Sequence, residues 1–256
     1  MNPPFSELRI FGARLTLLDS SGVLQAVRHY LVKGGRHTIA SGNAFCFNLA
    51  YEQPWLREFL NQADIVRLEG DGLRLGAWIL GHHTPRRIVF ADFVWELASL
   101  AEKQQWSFYL LGSQAGVADL AGACLQERFP ELRIAGAEHG YFGRAPDSAD
   151  NEAVIERINA AHPDVLFVGF GMPLQEKWLS ENRARLQVPL VFTCGALFDF
   201  VSGQVRRAPR WMTEHGLEWL GRLIAEPRRL WRRYIIGNPL FIFRVLKQRI
   251  GWDRFT

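Results

Sequence analysis

The sequence predicts an α/β fold with a mostly parallel sheet, followed by a basic helical appendage at the C-terminus. Three observations predict it. Short apolar runs of roughly five to eight residues alternate with amphipathic runs of roughly ten to fifteen, the spacing of βαβ units whose sheet is covered on both faces. Glycine-rich turns mark the joins between them. From about Arg206 the alternation stops, and basic, Trp-rich helical sequence takes over.

The elements follow in order. RLTLLD (14–19) is a strand, and Asp19 or Ser20 caps the helix SGVLQAVRHYLVKG, which Gly34 and Gly35 end. HTIAS (37–41) is a strand running into GNAFCFNLA; WLREFLNQA (55–63) is helical and DIVRLEG (64–70) strand-like. DFVWELASLAEKQQ (92–105) is a helix, SFYLLG (107–112) a strand, and SQAGVADLAGACLQERF (113–129) the helix after it. LRIAGAEHG (132–140) is a strand and SADNEAVIERINAAH (148–162) a helix. DVLFVGFG (164–171) is a buried strand, PLQEKWLSENRARL (173–186) a helix, and PLVFTCGALFDFVSG (189–203) a strand leading into a turn. The boundary falls in SGQVRRAP, which divides an α/β core at 1–204 from an appendage at 205–256.

Such a sheet places ligands beyond the C-terminal ends of its strands. Four strand-to-helix turns therefore frame a candidate site: Ser41-Gly42-Asn43, Gly70-Asp71-Gly72, Gly112–Gly116 and Gly169–Gln175.

Bulk properties narrow the function. At 256 residues and 48% hydrophobic, the chain can bury a full core. Residues 1–200 hold 18 Lys and Arg against 22 Asp and Glu, whereas residues 201–256 hold 12 against 4. A local excess of that kind points to an anionic partner: nucleic acid, lipid headgroups or a diphosphate. Cys46, Cys124 and Cys194 lie far apart, which suits a reducing compartment rather than a disulfide framework. No secretory signal and no bilayer-length apolar run is visible, so the expectation is a soluble or peripheral protein.

The turns differ in what chemistry they offer. In YLLGSQAGVADLA, amides at a helix N-terminus could receive phosphate through Gly112 and Gly116, although a plain tight turn is the simpler reading of the glycines. In VGFGMPLQEKW, Gly169 and Gly171 let backbone approach a ligand, Pro173 opens the helix, and Gln175 stands on its first turn; Glu176 and Lys177 read as solvated. Asp71 reads either as part of a common Asp-Gly turn or as a general base at a strand end. His82-His83 is a loop pair without metal-ligand spacing. No Asp-x-Asp occurs, so the usual carboxylate pair that holds a metal on a nucleotide diphosphate is missing; if the chain handles a diphosphate, arginines and backbone dipoles must do the work of the cation.

The segment LEWLGRLIAEPRRLWRRY (217–234) carries five arginines. At about 100° per residue, Leu220, Leu223, Ile224, Leu230, Trp231 and Tyr234 share one side, and Arg222, Arg229, Arg232 and Arg233 the other. Pro227 should kink the helix or begin a second one. A solvated basic face is the simplest reading. An anionic membrane surface and a bidentate phosphate contact also fit. RNA binding has the charge but lacks an accompanying recognition motif.

Taken together, the motifs SGN (41–43), DG (71–72), LLGSQAGVADLA (110–121), GFGMPLQEKW (169–178), FDFVSGQVRRAPRW (198–211) and GLEWLGRLIAEPRRLWRRY (216–234) resemble the WecG/TagA/CpsF family of bacterial glycosyltransferases, in family order over about residues 8–245. The resemblance implies a Rossmann-like α/β core whose basic appendage closes over the site and meets the membrane. It implies inverting transfer of a sugar from a UDP-sugar to a polyprenyl-diphosphate-linked saccharide, with no metal cofactor. The setting would be the cytoplasmic face of the bacterial plasma membrane, with the protein peripheral. A non-catalytic subunit that binds lipid-linked saccharide or nucleotide is the alternative. Oligomeric state, including a homo-oligomer, stays open; nucleic acid is not expected as a partner.

By the same resemblance, Asp71 falls at the proposed general base and Asn43 at a site asparagine, while Ser41 stands where Thr is usual. Gln175 and Arg87 match site residues. Arg222, Arg229 and Arg232 match arginines that hold the donor diphosphate, leaving Arg228 and Arg233 to lipid or solvent. Two departures add bulk beside the sugar pocket: Arg74 replaces a glycine in DGLR, and Phe90 replaces one in RIVFAD. The donor therefore stays open among N-acetylmannosamine, its uronic acid and glucose.

Overall fold

A computed structural model describes residues 5–85, 87–205, 212, 218–252 and 255, with the side chains of 218, 222, 225 and 229 outside that description. Among the described residues, eight strands form one sheet in the order β1-β2-β4-β3-β8-β7-β5-β6. They are β1 (Glu7–Ile10), β2 (Ala13–Thr16), β3 (His37–Gly42), β4 (Ile65–Leu68), β5 (Ser107–Gly112), β6 (Arg133–Glu138), β7 (Val165–Gly169) and β8 (Leu190–Thr193). The β1–β2 pair is antiparallel and every other pairing is parallel. The mostly parallel sheet is as expected; the edge hairpin made by β1 is an addition.

The helices are α1 (Ser20–Lys33), α2 (Ala44–Glu52), α3 (Pro54–Gln62), α4 (Asp71–Ile79), α5 (Phe90–Gln104), α6 (Val117–Arg128), α7 (Ala149–Ala161), α8 (Leu174–Asn182) and α9 (Leu197–Val201). After them come α10 (Glu218–Ala225), α11 (Pro227–Trp231), a π-helical turn at Arg232–Ile236, and α12 (Gly237–Arg249). Local sequence explains the ends. Asp19 Oδ1 accepts from Gly22 N at 2.8 Å to start α1, and Gly34, at φ 72°, ends it. Pro227 opens α11 as a second helix.

Strands β3, β5, β7 and β8 are buried along their whole length because both faces are covered. Alternation divides their side chains. Leu111, Val168 and Val191 join a core with α2, α3 and α8, while Leu110, Phe167 and Phe192 join one with α1, α5, α6 and α9. The first core also takes in Phe241 and Val245 of α12, which pack on α4. Gly76 of α4 permits that contact, since a Cβ there would lie 2.7 Å from the Phe241 ring. Asn48 Nδ2 donates to Gly237 O at 2.7 Å, and Arg244 donates to Asn48 and Glu52, so polar groups anchor α12 as well. No helix among the described residues is long and apolar enough to cross a membrane.

Candidate active site

The four central strands, in the order β4-β3-β8-β7, end side by side, and the segments following each of them line one cavity of about 570 Å³. Asn43 follows β3, Glu69 to Asp71 follow β4, Phe170 to Met172 follow β7, and Cys194 to Leu197 follow β8. Ser41, Arg87 and Gln175 line the same space. The opposite wall comes from the C-terminal segment, through Trp219, Leu230, Arg232, Arg233, Tyr234 and Asn238.

Asp71 is the first residue of α4, behind Gly70, whose φ of 82° suits glycine. The helix N-terminus favours a carboxylate there. Arg74 Nη1 lies 3.1 Å from Asp71 Oδ1, and Arg87 Nε lies 3.3 Å from Oδ2. The side chain keeps 30% of its surface exposed. It is therefore oriented by two cations yet open to the cavity.

Asn43 caps α2, its Oδ1 accepting from Cys46 N at 3.0 Å, and its amide nitrogen makes no hydrogen bond among the described residues. Gln175 is nearly fully buried. Its Oε1 accepts from Gly195 N at 3.0 Å, and its Nε2 donates to Glu176 Oε1 at 2.7 Å. The amide thus ties the turn after β8 to α8, at the cavity wall.

Glu176 overturns the reading of it as solvated. It is wholly buried, and its Oε2 has no hydrogen-bond partner among the described residues. Desolvation pushes its carboxyl up to about 7, against the opposing pull of the Gln175 hydrogen bond. A second buried charge also escaped the sequence: Arg67 on β4, at 1% exposure, lies with its guanidinium 3.9 Å from the centre of the Phe90 ring. Desolvation lowers its pKa, and Glu69 works the other way. Phe90 itself lines the cavity and lies among Phe93, Phe167 and Phe192, so most of its bulk is taken up by the core. Arg74 does not line the cavity.

The remaining expectations divide. Gly171 lines the cavity at φ 76°, whereas Gly112, Gly116 and Gly169 do not line it. The turn after β5 lies one strand beyond β7, and Ser113 Oγ ties it to Asp199 at 2.6 Å. Gly112 and Gly169 serve a close backbone approach: a Cβ on Gly112 would lie 2.4 Å from Gly169 O. Arg232 lines the cavity. The side chains of Arg222 and Arg229 lie outside the described residues. Arg233, assigned above to lipid or solvent, instead lines the cavity and stacks 4.9 Å from the Phe45 ring centre. Arg232 and Arg233 both stand on the π-helical turn, and the helical wheel also puts them on one side; only the motif match separates them. The same wheel grouped Ile224 and Trp231 with Leu230, but Leu230 is buried and the other two are exposed.

The model for the family described as "Glycosyl transferase WecG/TagA/CpsF family" matches residues 8–254. The chain is similar to the N-acetylglucosaminyldiphosphoundecaprenol N-acetyl-beta-D-mannosaminyltransferase of Bacillus subtilis (strain 168), at 30% identity over 191 residues, 75% of this chain and 72% of the relative. It is also similar to the protein of the same name from Staphylococcus aureus (strain NCTC 8325 / PS 47), at 26% identity over 211 residues, 82% and 80% of the two chains.

Proposed function

Because the chain belongs to the WecG/TagA/CpsF glycosyltransferase family, we propose that its cavity transfers a sugar from UDP to a polyprenyl-diphosphate-linked saccharide, with inversion. The observation that carries this reading is the convergence of Asp71, Asn43, Arg87, Gln175 and Arg232 on one cavity over the central strand ends. A saccharide hydroxyl attacks C1 of the donor while Asp71 takes its proton. The bond from C1 to the diphosphate oxygen breaks, and UDP leaves with the electron pair.

Charge then builds on the leaving diphosphate. Arg232 and Arg233, with Arg222 and Arg229 from the preceding turns, stabilise it more in the transition state than in the ground state. Guanidinium groups thereby take the part a metal plays in other nucleotide-sugar transferases. Arg87 holds Asp71 in line, and Asn43 and Gln175 shape the sugar subsite. Residues 205–256 act as the closing unit; the six cavity-lining residues between Trp219 and Asn238 support this. Exposed Ile235, Ile236, Phe243 and Trp252, in a segment that also carries Arg228, Lys247 and Arg249, support peripheral seating on an anionic membrane.

UDP release tests the reading. The purified chain, a panel of UDP-sugars and a synthetic polyprenyl-diphosphate saccharide should give acceptor-dependent UDP, undiminished by EDTA. Absence of turnover with every UDP-sugar would leave a non-catalytic binding subunit; turnover abolished by EDTA would remove the metal-free mechanism.

A further inference from the structure

Glu69 lines the cavity two residues before the proposed base. Its Oε1 accepts from Arg67 Nη2 at 3.0 Å and from Ser41 Oγ at 3.3 Å. Its Oε2 makes no hydrogen bond among the described residues, and 27% of the side chain is exposed. The groups behind it are committed to holding it. Ser41 is buried, accepts from Arg67 Nη2 at 2.5 Å, and has Thr193 O at 2.9 Å as the other acceptor for its single hydrogen. Arg67 is buried, and its Nε and Nη1 have no partner among the described residues. Burying a guanidinium so incompletely satisfied is costly. What the arrangement secures is one fixed carboxylate with one oxygen left toward the cavity.

A carboxylate only accepts hydrogen bonds, so the ligand group that meets Oε2 must donate one. The diphosphate has no hydrogen to offer and carries like charge. A sugar hydroxyl fits. A lipid-linked acceptor must keep its lipid outside, so its sugar comes in from the mouth. Glu69 is anchored on the sheet by buried groups, where the enclosed donor sugar would sit.

We infer that Glu69 binds the hexose of the donor, with Oε2 accepting a hydrogen bond from a ring hydroxyl and with Arg67 and Ser41 as its positioning residues. This rests on the glycosyl-transfer reading of the cavity. It makes Glu69 a specificity determinant: a donor lacking that hydroxyl leaves the carboxylate unpaired.

The test compares wild type, Glu69→Gln and Glu69→Ala, with binding of UDP and of UDP-N-acetylmannosamine, UDP-N-acetylglucosamine and UDP-glucose measured by calorimetry. Turnover is then measured with ring-deoxy forms of whichever donor is used. UDP should bind all three proteins equally, and the preferred UDP-sugar should bind Glu69→Ala about 10- to 100-fold more weakly than wild type. One deoxy donor should lose about 10- to 100-fold in kcat/KM with wild type and less than about threefold with Glu69→Ala. Glu69→Gln, which keeps the shape beside Arg67, guards against loss of folding and should give the same pattern at smaller size. The inference is overturned if UDP binding falls along with the UDP-sugar, if no UDP-sugar binds wild type more tightly than UDP, or if every deoxy donor loses equally in all three proteins. Turnover by wild type with any donor upholds the transferase reading whichever way Glu69 behaves.

Discussion

Arg74 and Asp71 form an ion pair within the first turn of α4, with Arg74 Nη1 3.1 Å from Asp71 Oδ1. Arg87 holds the other oxygen from outside the helix at 3.3 Å. The two cations differ in setting: the Arg74 side chain is 43% exposed and the Arg87 side chain 12%. An exposed pair contributes little, typically below about 1 kcal/mol, whereas a shielded one fixes geometry. Arg74→Ala should therefore keep kcat/KM within about threefold of wild type, and Arg87→Ala should lose at least about tenfold. Steady-state UDP release on both variants checks this; equal losses would mean that Arg74 belongs to the working site.

Glu176 gives a pH signature. Its carboxyl titrates near 7 in the folded chain against an ordinary value of 4.5. Between those values the unfolded chain has released the proton and the folded chain still holds it, so stability falls as pH rises. Above 7 both states are ionised and the difference levels off. Relative to Glu176→Gln, wild type should lose on the order of 3 kcal/mol across that window. Denaturant titrations from pH 4.5 to 8 measure it, and a pH-independent difference between the two proteins would contradict the burial argument.

The docking of α12 should matter beyond stability. Phe241 is fully buried against Gly76 and stands in a T-shaped contact with Phe11 at 5.7 Å. Phe241→Ala should cost about 3–5 kcal/mol, read from denaturant midpoints. Because α12 continues directly from the π-helical turn that carries Arg232 and Arg233, transferase activity should fall at temperatures where the core remains folded.

Membrane seating predicts the opposite behaviour two residues later. Phe243 is 59% exposed on the same helix. Phe243→Ser should leave the melting temperature unchanged and reduce flotation with anionic vesicles. Added salt should weaken flotation of both proteins, since each basic residue near the surface contributes about 1 kcal/mol under low screening. Unchanged flotation of Phe243→Ser would move the lipid face elsewhere.

Much of this molecule is legible in its sequence, for identifiable reasons. Strand and helix periods differ, so most of the βαβ order from Arg14 to Val201 could be read directly, apart from helices α2, α4 and α9, and the turns after the parallel strands then pointed to Asn43, Asp71 and Gln175. Strand β1 escaped because four residues with alternating exposure carry almost no pattern. Arg67 and Glu176 escaped because a charged residue gives no sequence sign of being buried; both are explained only by partners distant in the chain or by the packing around them. Arg233 escaped because the motif match picks out Arg222, Arg229 and Arg232 alone, although the wheel sets Arg233 on the same side as Arg232. The glycines at 112 and 169 gave a true signal of close approach, but the approach is between strands.

Asp71→Asn tests the central claim most directly. The variant keeps the size of the side chain and one acceptor oxygen for the flanking arginines but cannot take the acceptor's proton. Its kcat should fall about 10²- to 10⁴-fold, with UDP binding and melting temperature close to wild type. Wild-type turnover in a folded Asp71→Asn protein would contradict the assignment of Asp71 as the base.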